Sequence, residues 1–241
     1  MFKIRNSLAL TAIIVALAGA SFAQTTRTAR TSARQASLSD LDISRGLRAA
    51  LGQGVRNAVS DLGRRNGFLD NSRVRIPLPR NLQRTERTLR ALGQGRRVDE
   101  FVAAMNHAAE EAVPVAADIF FDAIMQMSFS DARNILFSGQ DDAATQFFRR
   151  TSEQRLREEF RPIVERFTEQ VGVTQKYKQL MGRYGFLGRA VGQDASDIDG
   201  YVTEKALDGL FLLVADEERR IRRDPIGRTT AILRTVFGVL R

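Results

Sequence analysis

Apolar residues recur every three or four positions along most of this chain, and that spacing constrains the fold more than any other feature. The clearest stripe is spaced four, four, three and four residues apart and consists of Leu156, Phe160, Val164, Phe167 and Val171. Such a period places the side chains on one face of an α-helix, whereas a half-buried strand needs alternation. We therefore predict an all-α protein, an irregular bundle of about eight to ten helices.

Local signals predict where several of these helices begin, bend or end. Gly52 and Gly54 predict a break within the first helical pattern, because glycine weakens a helix interior. Pro114 predicts a kink or a split. Ser128, a hydroxyl three residues before a carboxylate, predicts a capped helix start, and a new helix is predicted to begin at Thr151. Further helices are predicted at 177–184 and 229–240, with a loop at 185–196.

One stretch departs from the helical period. Residues 63–79 are predicted to be non-helical, since Asn66-Gly67 is a turn signal and 74–79 alternates and contains two prolines. An alternating segment with prolines favours extended backbone. No other segment offers it a clear partner strand, so we predict one extended, proline-containing loop on a helical protein.

The first 23 residues have the organisation of a secretory signal peptide. Lys3 and Arg5 precede an uncharged apolar run at 8–20, and Ser21-Phe22-Ala23 places small residues at the minus-three and minus-one positions of a cleavage site. The run is shorter than the about 20 residues that a membrane-spanning helix needs, and no later stretch is apolar enough to span. We predict a cleaved signal peptide over 1–23 and export, with the periplasm as the location.

The chain contains no cysteine. A bacterial lipoprotein carries its acyl chains on a cysteine at the cleavage point, so we predict no lipid anchor. Without disulfides, stability has to come from an apolar core. Export also removes ready access to cytosolic ATP and NAD(P)H, which excludes many classes of enzyme.

Two units are predicted after the signal. Residues 24–37 are rich in Thr, Ser and Arg and lack an apolar period, which is typical of a flexible tether. Arg27, Arg30 and Arg34 in this tether are candidate contacts to an anionic surface. Residues 38–241 are predicted to form a single helical domain.

The chain is basic, with a formal charge of +9, of which Lys3 and Arg5 supply two, leaving +7 for residues 24–241. This balance favours an acidic partner such as a phospholipid or lipopolysaccharide surface, or nucleic acid. Against that, Arg and Glu are interleaved along helical faces, as at 155–159, and such faces are commonly only solvated. The phenylalanines fall at helical spacing, which is typical of a core, so no nucleic-acid partner is expected.

A polar pair lies beside an apolar stripe in the predicted helix at 98–113. Asn106 and Glu110 are four residues apart, and burying an amide and a carboxylate is costly unless both are hydrogen-bonded. They are either a ligand-contacting pair in a groove or a buried polar network that holds the fold. His107, the only histidine, lies one turn before Glu111, but a metal site needs more ligands, so none is predicted.

A second polar group opens a later helix. Asp142 and Thr145 lie in the run Asp-Asp-Ala-Ala-Thr-Gln at 141–146. We interpret Asp142 as an N-cap that accepts backbone N–H bonds, because the spacing lacks the alternating ligands of a calcium loop. Together with Asn106 and Glu110, these two residues make up the candidate polar cluster, whose role is either ligand binding or structural.

Four segments resemble one known family. They are IPLP at 76–79, MNHAAE at 105–110, DDAATQF at 141–147 and YVTEKALDGLF at 201–211. The segments are similar, and in the same order, to those of the DUF4197 family, exported bacterial proteins of uncharacterised function. The resemblance covers most of the chain after the signal. It implies a Gram-negative envelope setting and brings no reaction, cofactor or catalytic residue.

The motifs that announce familiar chemistry are missing from the sequence. We find no nucleophile elbow, no glycine-rich phosphate loop after a strand and no Ser-x-x-Lys motif. We therefore predict no cofactor and favour a non-enzymatic binding or structural module of the envelope, for an anionic or amphiphilic ligand or an envelope partner. The alternative is an exported hydrolase-type enzyme that uses Glu110 with Asn106. The oligomeric state stays open.

Overall fold

The helical spacing of the apolar residues is realised as α-helices throughout the computed structural model, which describes residues 40–170, Gly172 and 197–223. Within these ranges the α-helices are α1 (Asp40–Gly63), α2 (Gln83–Ala91), α3 (Gly95–Ala112), α4 (Ala116–Gln126), α5 (Phe129–Phe137), α6 (Ala143–Gln170) and α7 (Ile198–Arg223). Two short 3-10 turns, Arg80–Leu82 and Val113–Val115, precede α2 and join α3 to α4. These ranges contain no strand, and the predicted all-α class is confirmed.

The described ranges contain fewer helices than the eight to ten predicted for the chain. These ranges contain seven α-helices, or six when α3 and α4, which are joined by the second 3-10 turn, are counted as one. The predicted helices at 177–184 and 229–240, and the predicted loop at 185–196, lie outside the described residues. So do residues 1–39, which include the predicted signal peptide and tether.

The predicted break at Gly52 and Gly54 is wrong, because α1 continues through both glycines. A β-carbon at Gly52 would lie 3.1 Å from Phe121 Cε1 on α4, and one at Gly54 would lie 3.2 Å from Glu217 Cβ on α7. Both distances are shorter than ordinary van der Waals contact. The glycines therefore let α1 pack closely against two neighbouring helices, and this tertiary contact outweighs their weak helix propensity.

Three other boundary signals have mixed outcomes. Ser128 caps α5 through a complete capping box, as predicted. Pro114 lies in the 3-10 turn between α3 and α4, where the predicted split occurs. No helix begins at Thr151, since its hydroxyl donates to Phe147 O at 2.9 Å and the residue stays inside α6.

The core lies between α1, α3, α4, α6 and α7. α6 and α7 pack along each other, and α1 lies against both α7 and α4. At the centre, the buried Phe120 ring meets Phe148 and Phe211 edge-on, with ring centroids 5.5 and 5.8 Å apart. Burying a phenylalanine contributes about 1.5–3 kcal/mol, so these rings are the type of core on which a cysteine-free chain depends.

The segment between α1 and the first 3-10 turn, residues 64–79, is called the proline loop here. Val74, Ile76 and Leu78 are buried, and the residues between them are exposed. The alternation seen in the sequence therefore packs one side of an extended segment onto the protein. Since the described residues form no strand, the backbone polar groups of this loop need partners other than a sheet.

No helix of the described ranges is both long enough and apolar enough to cross a membrane alone. The helical stretch Gly95–Gln126 taken together with Phe129–Phe137 has a sufficient length and composition, as a pair bent by 101°.

Candidate functional site

The Asn106 side chain takes the place of a partner strand for the proline loop. Asn106 is fully buried on α3. Its Oδ1 accepts a hydrogen bond from Ile76 N at 2.8 Å, and its Nδ2 donates to Ile76 O at 2.9 Å and to Val102 O at 2.8 Å. Exchange of both bonds with one residue is the pattern of a hydrogen-bonded pair in an antiparallel ladder. Both Nδ2 hydrogens are used within the fold.

One turn along α3, the Glu110 carboxylate collects three backbone amides of the proline loop. Oε1 accepts from Phe68 N at 3.0 Å and from Leu69 N at 3.1 Å, and Oε2 accepts from Asn66 N at 2.9 Å. Glu110 is 3% exposed. Converging amides offset the cost of burying a charge, and they hold the turn in which Asn66 adopts a φ of 63°.

Two contacts from α7 also hold the proline loop against the helices. The Tyr201 hydroxyl donates to Pro77 O at 2.9 Å, and burial raises the pKa of this phenol. At Gly209 a β-carbon would lie 2.8 Å from Phe68 Cε1 and 3.2 Å from Val74 Cβ. The side chains of the loop therefore fill space that any residue larger than glycine would occupy.

An ion pair on the outside links the same loop to α7. Arg73 donates to the Asp216 carboxylate, and Arg219 donates to its other oxygen at 2.5 Å. Burial alone would raise the pKa of Asp216, but hydrogen bonds from Arg73 and Arg219, together with their charges, hold it below the ordinary range. Because Arg73 is half exposed, this pair contributes little to stability.

A pocket of about 440 Å³ opens beside the Glu110 carboxylate. In it, His107 Nε2 lies 3.2 Å from Asn66 Oδ1 and 3.9 Å from Glu110 Oε2. The lining also includes Arg65 and Glu111, so cationic and anionic groups are mixed and no single ligand charge is favoured. No group of three or more potential metal ligands occurs among the described residues.

Asp142 and Thr145 lie at the start of α6, away from Asn106 and Glu110. The N-terminal amides of α6 are bound by Glu218 of α7 instead of Asp142: Ala144 N and Thr145 N donate to its two oxygens at 2.9 Å each. The Thr145 hydroxyl donates to the same carboxylate at 2.9 Å. The Asp142 carboxylate accepts from Gln146 Nε2 at 2.9 Å. The structure thus does not bring the four residues of the candidate polar cluster into one site.

Glu218 is a buried residue that the sequence analysis missed. It is 3% exposed and accepts from Arg222 Nη2 at 2.7 Å and Nε at 3.1 Å. Its local run of two acids and two arginines is typical of a solvated face, which hid it. The signal that identifies it is its place in the apolar stripe of α7, spaced four, three, four and three: Leu207, Phe211, Val214, Glu218 and Ile221.

Positive charge is concentrated on one stretch, residues 63–97, called the basic segment here. It holds ten arginines and two acids, Asp70 and Glu86, for a formal charge of +8. Since residues 24–241 carry +7 in all, the remainder of that range sums to −1. All ten arginines are exposed. The predicted anion contacts Arg27, Arg30 and Arg34 lie outside the described residues.

Few of these arginines are neutralised. Arg73 pairs with Asp216, Arg90 with Glu86 and Asp99, and Arg96 with Glu100. The other seven make no ion pair with any side chain in the described ranges: Arg64, Arg65, Arg75, Arg80, Arg84, Arg87 and Arg97. The basic segment therefore offers a surface of guanidinium groups with unused hydrogen-bond donors.

Comparison with known proteins identifies a family. A family model described as "Protein of unknown function (DUF4197)" matches residues 37–238, which is most of the chain and agrees with the resemblance seen in the four sequence segments. No curated protein and no solved structure matches.

Proposed function

The chain belongs to the DUF4197 family, and from that premise we propose that it is an exported envelope protein that acts as a non-catalytic, anion-binding helical module. The description of the family names no reaction, so the proposal depends on the residues of this chain. The organisation of residues 1–23 supports export to the periplasm.

The observation that carries the binding function is the charge of the basic segment. A charge of +8 within 35 residues, against −1 for the rest of residues 24–241, is an asymmetry that the fold does not need. Guanidinium groups without carboxylate partners keep their donors for phosphate or carboxylate groups of another molecule. A dense positive surface also raises the rate of encounter with anionic partners.

The alternative, a hydrolase that uses Glu110 with Asn106, has less support. Asn106 is fully buried and its three hydrogen bonds are directed at backbone groups. Glu110 accepts three backbone amides. A general base must reach the proton it abstracts, and both side chains are committed to the proline loop.

Chromatography on an immobilised polyanion tests the binding function. We expect the protein to bind heparin and to elute at high salt, because neutralised charges release counterions in a salt-dependent way. The variant Arg84→Ala/Arg87→Ala should elute at clearly lower salt. The matched control Arg150→Ala/Arg166→Ala removes the same charge from exposed positions on α6 and should elute close to the unmodified protein. Equal shifts for the two variants would show that only net charge matters and would reject a dedicated surface.

Cell fractionation tests the location. The protein expressed in a Gram-negative host should be recovered from the periplasmic fraction with Gln24 as its first residue. A chain that keeps Met1 and stays in the cytosol would reject export, whatever the result on heparin.

A further inference from the structure

We propose that the anionic partner of the basic segment is the phosphate surface of an anionic phospholipid bilayer, and that the turn between α2 and α3 enters its interface at Leu92. This inference rests on the proposed anion-binding function and names the partner of the same surface. It combines three observations: an outward stripe of arginines, an exposed leucine beside it, and the absence of exposed aromatic rings in the basic segment.

The arginine stripe runs along α2 and the 3-10 turn that precedes it, on the side that faces away from the protein. Arg80, Arg84 and Arg87 are spaced four and three residues apart, so at about 100° of rotation per residue they share one helical face. The opposite face is buried against the protein through Leu82, Thr85 and Leu89. α2 packs on α3, and the three arginines are exposed.

Leu92 follows the last turn of α2 and is 57% exposed. Gly93, next to it, has a φ of 75° and its missing β-carbon would meet nothing within 4 Å. Across the hairpin, Arg90 pairs with Glu86 on α2 and with Asp99 on α3. A leucine at the tip of a hairpin and flanked by arginines has the chemistry of an interfacial contact, apolar below the headgroups and cationic among the phosphates.

Charge and composition favour lipid over nucleic acid. A cluster of four to eight basic residues is typical of binding to anionic lipid, and seven arginines of the basic segment have no carboxylate partner in the described ranges. Proteins that bind single-stranded nucleic acid add exposed rings on which bases stack. The single aromatic residue of the basic segment, Phe68, is fully buried.

The chain contains no tryptophan, so one introduced tryptophan reports on its own surroundings. In Leu92→Trp we expect the emission maximum to shift to shorter wavelength when phosphatidylglycerol vesicles are added, and not with phosphatidylcholine vesicles. The matched control is Phe137→Trp, at another exposed apolar position, 55% exposed at the end of α5, where no shift is expected. Adding Arg84→Ala/Arg87→Ala to the first variant should abolish the shift.

The same preparations are compared on heparin and on duplex DNA. Retention on heparin with neither sedimentation nor a spectral shift on phosphatidylglycerol vesicles would overturn the lipid partner and leave the anion-binding function standing. Loss of both would reject the proposed function itself. Tighter binding to DNA than to the vesicles at the same salt would assign the basic segment to nucleic acid and reject the inference.

Discussion

Arg157 and Arg161 of α6 are used differently from most arginines of the basic segment. On α6, Arg157 pairs with Glu153 at 2.9 Å and also with Glu204, and Arg161 pairs with Glu165 at 2.9 Å and Asp197 at 3.2 Å. Each of these arginines pairs with one acid on its own helix and with a second acid on or next to α7. In the basic segment seven arginines have no such partner in the described part of the chain.

The two regions are also held to the core differently. α6 and α7 meet through apolar side chains, including the Phe148 and Phe211 rings that both contact Phe120. The proline loop, the first part of the basic segment, is held by side chains from α3 and α7 that bind its backbone. Because the attachment uses backbone groups, the outward arginines are not needed to keep the loop in place and are available for a partner.

The largest effect is expected from Glu110→Ala. It leaves the amides of Asn66, Phe68 and Leu69 without their acceptor, and buried donors without partners are costly. We expect a loss of about 3–5 kcal/mol in the free energy of unfolding, measured by urea titration. Glu111→Ala, at the exposed neighbouring position, should change stability by less than about 0.5 kcal/mol. If the two variants are equally stable, the proline loop is not held by its backbone, and the contrast with α6–α7 fails.

A smaller loss is expected from Gly209→Ala. The new β-carbon would lie 2.8 Å from the buried Phe68 ring and 3.2 Å from Val74, so the loop has to move. Overpacking of this kind costs about 1–3 kcal/mol, partly offset by the better helix propensity of alanine. Gly95→Ala is the control, since its β-carbon would meet only Arg90, at 3.5 Å or more. A thermal shift seen for both variants alike would show that α7 does not seat the loop.

Tyr201→Phe tests the hydrogen bond that α7 donates to the backbone of the proline loop. Losing the bond to Pro77 O should cost about 1 kcal/mol. Burial raises the pKa of Tyr201 above its ordinary value, so the stability that its protonated form contributes is present below about pH 10 and is lost as the pH rises through the higher, folded-state pKa. Urea titrations on either side of pH 10 should show a steeper fall for the unmodified protein than for Tyr201→Phe. Identical slopes would contradict a role for the phenolic proton.

The sequence predicts the polar pair but not its partners. Asn106 and Glu110 are recognisable as polar residues beside an apolar stripe, because helical periodicity is a local property. Their partners Ile76 and Phe68 lie 30 and 42 residues earlier, and periodicity contains no information about which loop meets which helix. The all-α class is predictable because it depends on local periodicity. These contacts are not predictable, because they join residues that are far apart in the sequence.

The wrong boundaries follow the same rule. The weak helix propensity of glycine predicts a break at Gly52, yet α1 needs a small residue there to approach Phe121 of α4. Glu218 was hidden by a local charge pattern, although its place in the inward stripe of α7 marks it as buried. In each case a tertiary contact determines the local structure or the burial of the residue, and a pattern of adjacent residues does not detect that contact.

The smallest effect on stability, and the sharpest test of the comparison, is expected from Arg84→Ala/Arg87→Ala. Both side chains are exposed, neither has an ion pair with another described residue, and alanine favours the helix. Unfolding in urea should therefore change by less than about 0.5 kcal/mol. Arg157→Ala in the α6–α7 region removes the links to Glu153 and Glu204 and should cost up to about 1 kcal/mol.

Binding should show the reverse order, with heparin retention reduced by the double variant and hardly changed by Arg157→Ala. If the double variant instead unfolds more easily than Arg157→Ala, the arginines of the basic segment serve the fold, and the division between arginines that hold the protein together and arginines that meet a partner is wrong.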